Sequence, residues 1–175
     1  MRTFQNLLWI VLLLSIFAFS GCNENVSDPG IDNSNQVSLS KIVHHVSVGG
    51  CDAFPPGTDR SFSLVANMND DGEVSGQYQD GFGGGAGGIH VAVDCMILVG
   101  DNAAIISGVI THGTFNGVDV SGQRAVTAVV DNGQGSNADP DQISYSYIGP
   151  NLTCSTYAFQ QFPLLDIYCG QVKVK

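Results

Sequence analysis

Between Ser61 and Met68 the apolar residues Phe62, Leu64, Ala66 and Met68 alternate with the polar Ser61, Ser63 and Asn67. A period of two is the mark of a strand with one buried face. Asn69-Asp70-Asp71-Gly72 then supplies turn chemistry, and Glu73 to Asp80 predicts a returning strand. Val74 and Tyr78 face Met68 and Leu64 if Gly72 takes the left-handed position of a bulged hairpin. After a glycine-dense loop from Asp80 to Gly88, Ile89, Val91, Val93, Cys95, Ile97 and Val99 fall on one face of a third strand. Its partner, Ala103 to Thr111, offers Ile105 and Val109 across Gly100-Asp101-Asn102, which predicts a central hairpin with Gly108 relieving crowding or bending the strand.

The remaining candidates are Val37 to Val48 ending at Gly49-Gly50, a strand or loop over Phe115 to Val120, then Arg124 to Val130 and Gln142 to Ile148. Tyr157 to Phe162 and Ile167 to Val174, broken at Pro163, close the series. About 7 to 9 short strands with no helical stretch beyond the leader predict an all-β antiparallel meander, a small barrel or sandwich, with a closed meander the first expectation.

Upstream the pattern changes. Arg2 opens residues 1–21 and an almost uninterrupted apolar run follows from Leu7 to Phe19. The run falls short of the ~20 apolar residues needed to span a bilayer, so it reads as a removable secretory signal. Residues 22–40, rich in Asn, Ser and Asp with Pro29 and Gly30, have the composition of a flexible tether. Residues 41–175 then form the single β domain, roughly 135 residues, enough for one core and too few for two ordinary ones.

Phe19-Ser20-Gly21-Cys22 resembles the lipobox of bacterial lipoproteins, with Phe19 where Leu is usual. The resemblance implies cleavage before Cys22, acyl chains on that cysteine and attachment to the membrane through them. Asn23 in place of Asp at the next position implies an outer-membrane address in the cell envelope rather than inner-membrane retention. Glu73-Val74-Ser75-Gly76, Val93-Asp94-Cys95, Val99 to Gly108 and Val129 to Gly133 also resemble recurring signatures of small exported bacterial β-domains. That similarity spans about residues 61–148 and supports the β reading without carrying known chemistry.

Sixteen acids against six bases give a net charge of −10, and loss of Arg2 with the leader makes the mature chain one unit more negative. With Lys41, Lys173 and Lys175 at the domain's edges there is no basic patch, and nucleic acid is excluded as a partner class. Setting Cys22 aside, Cys51, Cys95, Cys154 and Cys169 are an even set in an exported chain, which favours two disulfides over metal binding or free thiols. Three pairings are possible. Cys154 and Cys169 bracket a short segment, which favours their pairing and so Cys51 with Cys95; a buried unpaired Cys95 is the alternative.

Three groups of side chains are candidate sites. The loop from Asp131-Asn132-Gly133 to Asp139-Pro140-Asp141 holds three carboxylates and is long for a hairpin, so Asp131, Asp139 and Asp141 are candidate calcium ligands, although the same residues build any exposed turn. Asn67, Asn69, Asp71 and Gly72 match only the start of a calcium loop, since Tyr78 stands where its closing Glu belongs. If Val99 pairs with Ala103, His90 falls opposite His112. Zinc or another transition metal there needs a further ligand, and Asp94 lies four residues along, ~13 Å at strand rise. His44 and His45 point to opposite faces and cannot chelate together.

The glycines from Gly81 to Gly88 lead into a strand, not the helix that phosphate binding requires. No G-x-S-x-G or H-E-x-x-H motif occurs. The mature chain lacks Trp, because Trp9 belongs to the leader, which weighs against carbohydrate stacking. The expectation is therefore a membrane-anchored, non-catalytic structural or binding module for a protein or small-molecule ligand. The alternatives are a calcium-binding β domain and an enzyme with a dispersed site at His90, His112 and Asp94.

Overall fold

The computed structural model describes residues 40–52, 61–135 and 137–175. The leader, Cys22, the tether before Ser40 and Arg60 lie outside the described residues. Ten strands follow in order: β1 (Ile42–Asp52), β2 (Ser61–Asn69), β3 (Val74–Phe82), β4 (Gly87–Val99), β5 (Ala103–Phe115), β6 (Val118–Asp119), β7 (Arg124–Val130), β8 (Gln142–Ser144), β9 (Tyr147–Gly149) and β10 (Leu164–Val174). β1 to β5 pair as a meander. β5 pairs also with β7, β7 with β8, β8 with β10 and β10 with β1, closing a ring of eight antiparallel strands. The all-β antiparallel fold expected from the sequence is the one observed, with β6 a short hairpin on the end of β5 and β9 continuing the edge of β7 that β8 begins.

Alternation builds the ring's interior. On β2, Phe62, Leu64 and Ala66 are buried while Ser61, Ser63 and Val65 are exposed. They join Val46 and Val48 of β1, Tyr78 of β3, Ile89, Val91 and Val93 of β4, Ile106 and Ile110 of β5, Val129 of β7, Ile143 of β8 and Val172 of β10. Each such aliphatic side chain removed from water is worth about 1.5–3 kcal/mol, so all eight ring strands feed one core. The β2–β3 hairpin has the expected register, Met68 opposite Val74 and Leu64 opposite Tyr78, and Gly72 takes φ 82°. Asn69 Oδ1 accepts the amides of Asp71 at 3.1 Å and Glu73 at 2.8 Å, so the partial calcium-loop match is a self-capped turn.

The β4–β5 hairpin contains two compensating irregularities. Val99 pairs with Ala103 and His90 with His112, but between them Asp94 is an extra residue on β4 and Thr111 an extra residue on β5. Each bulge reverses the side-chain faces beyond it. Ile89, Val91 and Val93 therefore face inward, as do Met96 and Leu98, whereas Cys95 and Val99 pack outside the ring and Ile97 is 39% exposed. The single face expected for Ile89 to Val99 is corrected accordingly, and Ile105 joins the outer cluster too. Gly108 sits opposite Val93 at the first bulge, where any Cβ would run into the Ala92 carbonyl.

Three further boundaries differ from expectation. β1 does not stop at Gly49-Gly50 but continues to Asp52, because ladders with β2 and β10 hold it on both sides. Gln142 to Ile148 splits into β8 and β9: Val129 opposes Ile143 and Val126 opposes Tyr147, leaving one extra residue on that strand. Tyr157 to Phe162 is no strand. A 3₁₀ turn at Phe159–Gln161 lies there instead, and Tyr157, Phe159 and Phe162 cover Val126 and Ala128 on the outer face of β7.

Both disulfides are present, with the pairing Cys51–Cys169 and Cys95–Cys154. The expected Cys154–Cys169 bond is overturned because β10 carries Cys169 into register with Cys51 of β1, while Cys154 is buried in the outer cluster beside Cys95. The bonds close segments of 118 and 59 residues. Peptide mapping of the unreduced protein should recover these two linkages and no Cys154–Cys169 peptide. Replacing either pair with Ala should cost about 2–5 kcal/mol, read by denaturant unfolding.

Candidate functional site

Because the strands run back and forth, the ring has two ends. Lys41 enters at one, beside the Asn69–Gly72 turn: its amide donates to Asp70 Oδ1 at 3.0 Å and its carbonyl accepts the Asp70 amide at 2.9 Å. At the other end β3 turns into β4 and β5 into β6. There a groove of about 640 Å³ opens, lined among others by Ser61, Gln79, Asp80, His90, His112 and Asp119.

His90 and His112 form one wall. Their rings stack with centroids 3.9 Å apart and planes 20° from parallel. The row extends sideways, since Ser63 opposes Gln79 and Gln79 opposes His90. Ser63, Gln79, His90 and His112 are therefore neighbours across four strands on the outer surface. The bulge residue Thr111 donates from Oγ1 to the His90 carbonyl at 3.1 Å and lies 3.4 Å from His112 Nδ1. Asp119, fully exposed, accepts the Ser121 amide at 2.8 Å, and hydrogen bonds from Ser121 pull its carboxyl below the usual range.

Asp94 does not join this pair. Its carboxylate takes both terminal nitrogens of Arg124, at 2.9 and 2.5 Å. Arg124 Nε donates to the Leu152 carbonyl, so the ion pair ties the outer 150s segment to β4 and β7.

The acids of the long loop have a structural occupation. Asp131 accepts the Gly133 amide at 2.9 Å on one oxygen and the Val174 amide at 3.1 Å on the other. Asp141 accepts Asn132 at 2.8 Å and Val172 at 2.7 Å in the same way. Each oxygen of both carboxylates thus already holds one backbone donor. Asp139 is exposed, and among the described residues no three His, Cys, Asp or Glu side chains converge on a common point.

One polar cluster was not anticipated. Tyr78 Oη donates to Asp80 Oδ2 at 2.8 Å, Ser146 Oγ donates to the same oxygen at 2.7 Å, and the two hydroxyls lie 2.5 Å apart. Tyr78 and Asp80 occupy inward positions of β3, so the cluster crosses from β3 to the bulge between β8 and β9. Alternation from Val74 through Tyr78 places Asp80 inside, which was the available signal. Burial pushes the Tyr78 hydroxyl well above its ordinary range, and the Asp80 charge adds to the effect.

Comparison of the chain with protein-family models, curated proteins and solved structures returns no match. The site's chemistry therefore stands on its own geometry.

Two outcomes follow. Asp131→Ala or Asp141→Ala should each cost about 2–3 kcal/mol by stranding amides of β10, whereas Asp139→Ala should change stability by less than ~0.5 kcal/mol in urea unfolding. Folded Tyr78 holds its proton more tightly than the unfolded chain, so its contribution is complete below the ordinary pKa of 10.0 and is lost as pH rises through the folded value. Tyr78→Phe should lower stability at pH 8 by ~1–2 kcal/mol yet show a shallower fall from pH 10 upward, measured by denaturant unfolding across that range.

Proposed function

We propose that this chain is an exported lipoprotein, anchored in the outer membrane through acyl chains on Cys22, whose β domain is a non-catalytic binding module. The observation that carries the reading is the separation of entry from groove. The chain enters the ring at Lys41, and the groove beside His90 and His112 lies at the opposite end of strands such as β1. Eleven residues of β1 amount to about 35 Å at strand rise, so the length of a strand separates the point where the chain enters the ring from the groove.

Two disulfides accord with an oxidising compartment outside the cytoplasm. The lining of Gln79, Ser61, Asp80 and two imidazoles suits a small polar ligand, neutral or cationic given the acidic surplus. Orientation by hydrogen bonds is what such a lining offers.

Fractionation of cells carrying Cys22→Ser tests the anchor. The wild type should sediment with outer membrane, its N-terminal peptide carrying acyl mass on Cys22, and the variant should leave the outer-membrane fraction. An unacylated wild-type Cys22, or a variant that still sediments with outer membrane, would overturn the reading.

A further inference from the structure

We propose that His90 and His112 together bind one divalent transition-metal ion at the groove wall, copper(II), nickel(II) or zinc(II), and that the further ligands such an ion needs are water molecules rather than a third side chain. The inference concerns the β domain alone and holds whether or not Cys22 is acylated.

Chelation by two imidazoles requires two side chains whose backbones are already fixed at the right spacing. The β4–β5 ladder places His90 directly opposite His112, and both rings project to the outer face. Directly opposed residues of an antiparallel pair have Cβ atoms about 4.5–5.5 Å apart, within reach of a common ion at the ~2.0–2.1 Å typical of metal–imidazole bonds. The rings are already together, 3.9 Å between centroids, so little further freedom is lost when an ion draws them in. Ring nitrogen lone pairs lie in the ring planes, so the stacked rings direct them along near-parallel lines, and a turn of each ring about its Cβ–Cγ bond aims one lone pair from each at a common ion.

The surroundings favour the Nε2 atom of His112. Thr111 Oγ1 sits 3.4 Å from His112 Nδ1, the place where a metal-binding imidazole takes an outer partner, which leaves Nε2 for the ion. The groove opens to solvent beside both rings, giving an entry path and room for water ligands. Asp119 lines the same groove, and a net charge of −10 raises the local concentration of cations. Imidazole nitrogen suits copper, nickel and zinc, and copper(II) should bind most tightly of the three.

The chain carries its own control. His44 and His45 are adjacent on β1 and project to opposite sides, and His45 Nδ1 is held 2.7 Å from Asn67 Oδ1. They offer imidazole without a chelating pair.

Titration of the intact, oxidised protein with copper(II), nickel(II) and zinc(II) chlorides by calorimetry tests the proposal, with copper(II) electron paramagnetic resonance reporting nitrogen ligands. One equivalent should bind with two-nitrogen coordination. His112→Gln, at an exposed position, should weaken binding roughly tenfold or more, the lower limit seen even for loss of an outer-shell partner, while His44→Gln leaves it unchanged. Equal melting temperatures of metal-free wild type and His112→Gln establish that the fold is intact. No binding by the wild type, or binding retained in a His90→Gln, His112→Gln double variant, overturns the proposal; neither result bears on acylation at Cys22.

Discussion

A sheet that closes on itself needs an acceptor for every inward-caught amide of the strand that shuts it, and β10 has no full-length neighbour on one side. β8 covers it only from Leu164 to Asp166, opposite Ser144 to Gln142. Beyond that, the Asp141 carbonyl takes the Ile167 amide at 2.8 Å, and the carboxylates of Asp141 and Asp131 take Val172 and Val174. Two side chains thus stand in for a missing strand. An unpaired amide beside a fully buried residue such as Val172 is costly, and charge-assisted acceptance is the strong form of the remedy. The long loop after β7 exists to deliver these carboxylates, since Asp131 opens it and Asp141 ends it.

The same fact explains which parts of the candidate site could be read in the sequence. Asp, Asn, Gly and Pro compose a calcium loop, an exposed turn and a set of carboxylate caps alike. Distinguishing them requires knowing that β10 runs alongside, and that contact spans more than thirty residues of sequence. Local chemistry was legible where it closes on itself: the Asn69 to Gly72 turn fixes its hairpin through residues no more than four apart. The disulfides divide on the same line. With Cys22 set aside, four cysteines point to bonding if the chain is exported, whereas pairing depends on ring closure, which sets Cys51 against Cys169 across 118 residues. Tyr157 to Phe162 looked like a strand because its aromatic residues must be covered, and covering the outside of β7 satisfies them equally well.

The stacked histidines show how a correct register can rest on an incomplete picture. Counting outward from the Gly100–Asn102 turn pairs His90 with His112 only if β4 and β5 carry the same number of residues up to that point. They do, because each strand holds one bulge. Without Thr111, the inward parity of Ala104, Ile106 and Ile110 would send residue 112 into the core, burying an imidazole among aliphatic side chains. Without Asp94, His90 would slip against a different partner. The first bulge also turns Cys95 outward to meet Cys154, and places Asp94 where Arg124 can bind it and hold Leu152. The outer layer over β7 and the histidine wall of the groove therefore depend on the same paired insertions. Each insertion alone would break the register that the other restores, so the two bulges constrain the sequence jointly. Their cost in lost ladder bonds is recovered in one disulfide, one bidentate ion pair and one stacked pair of rings on the surface.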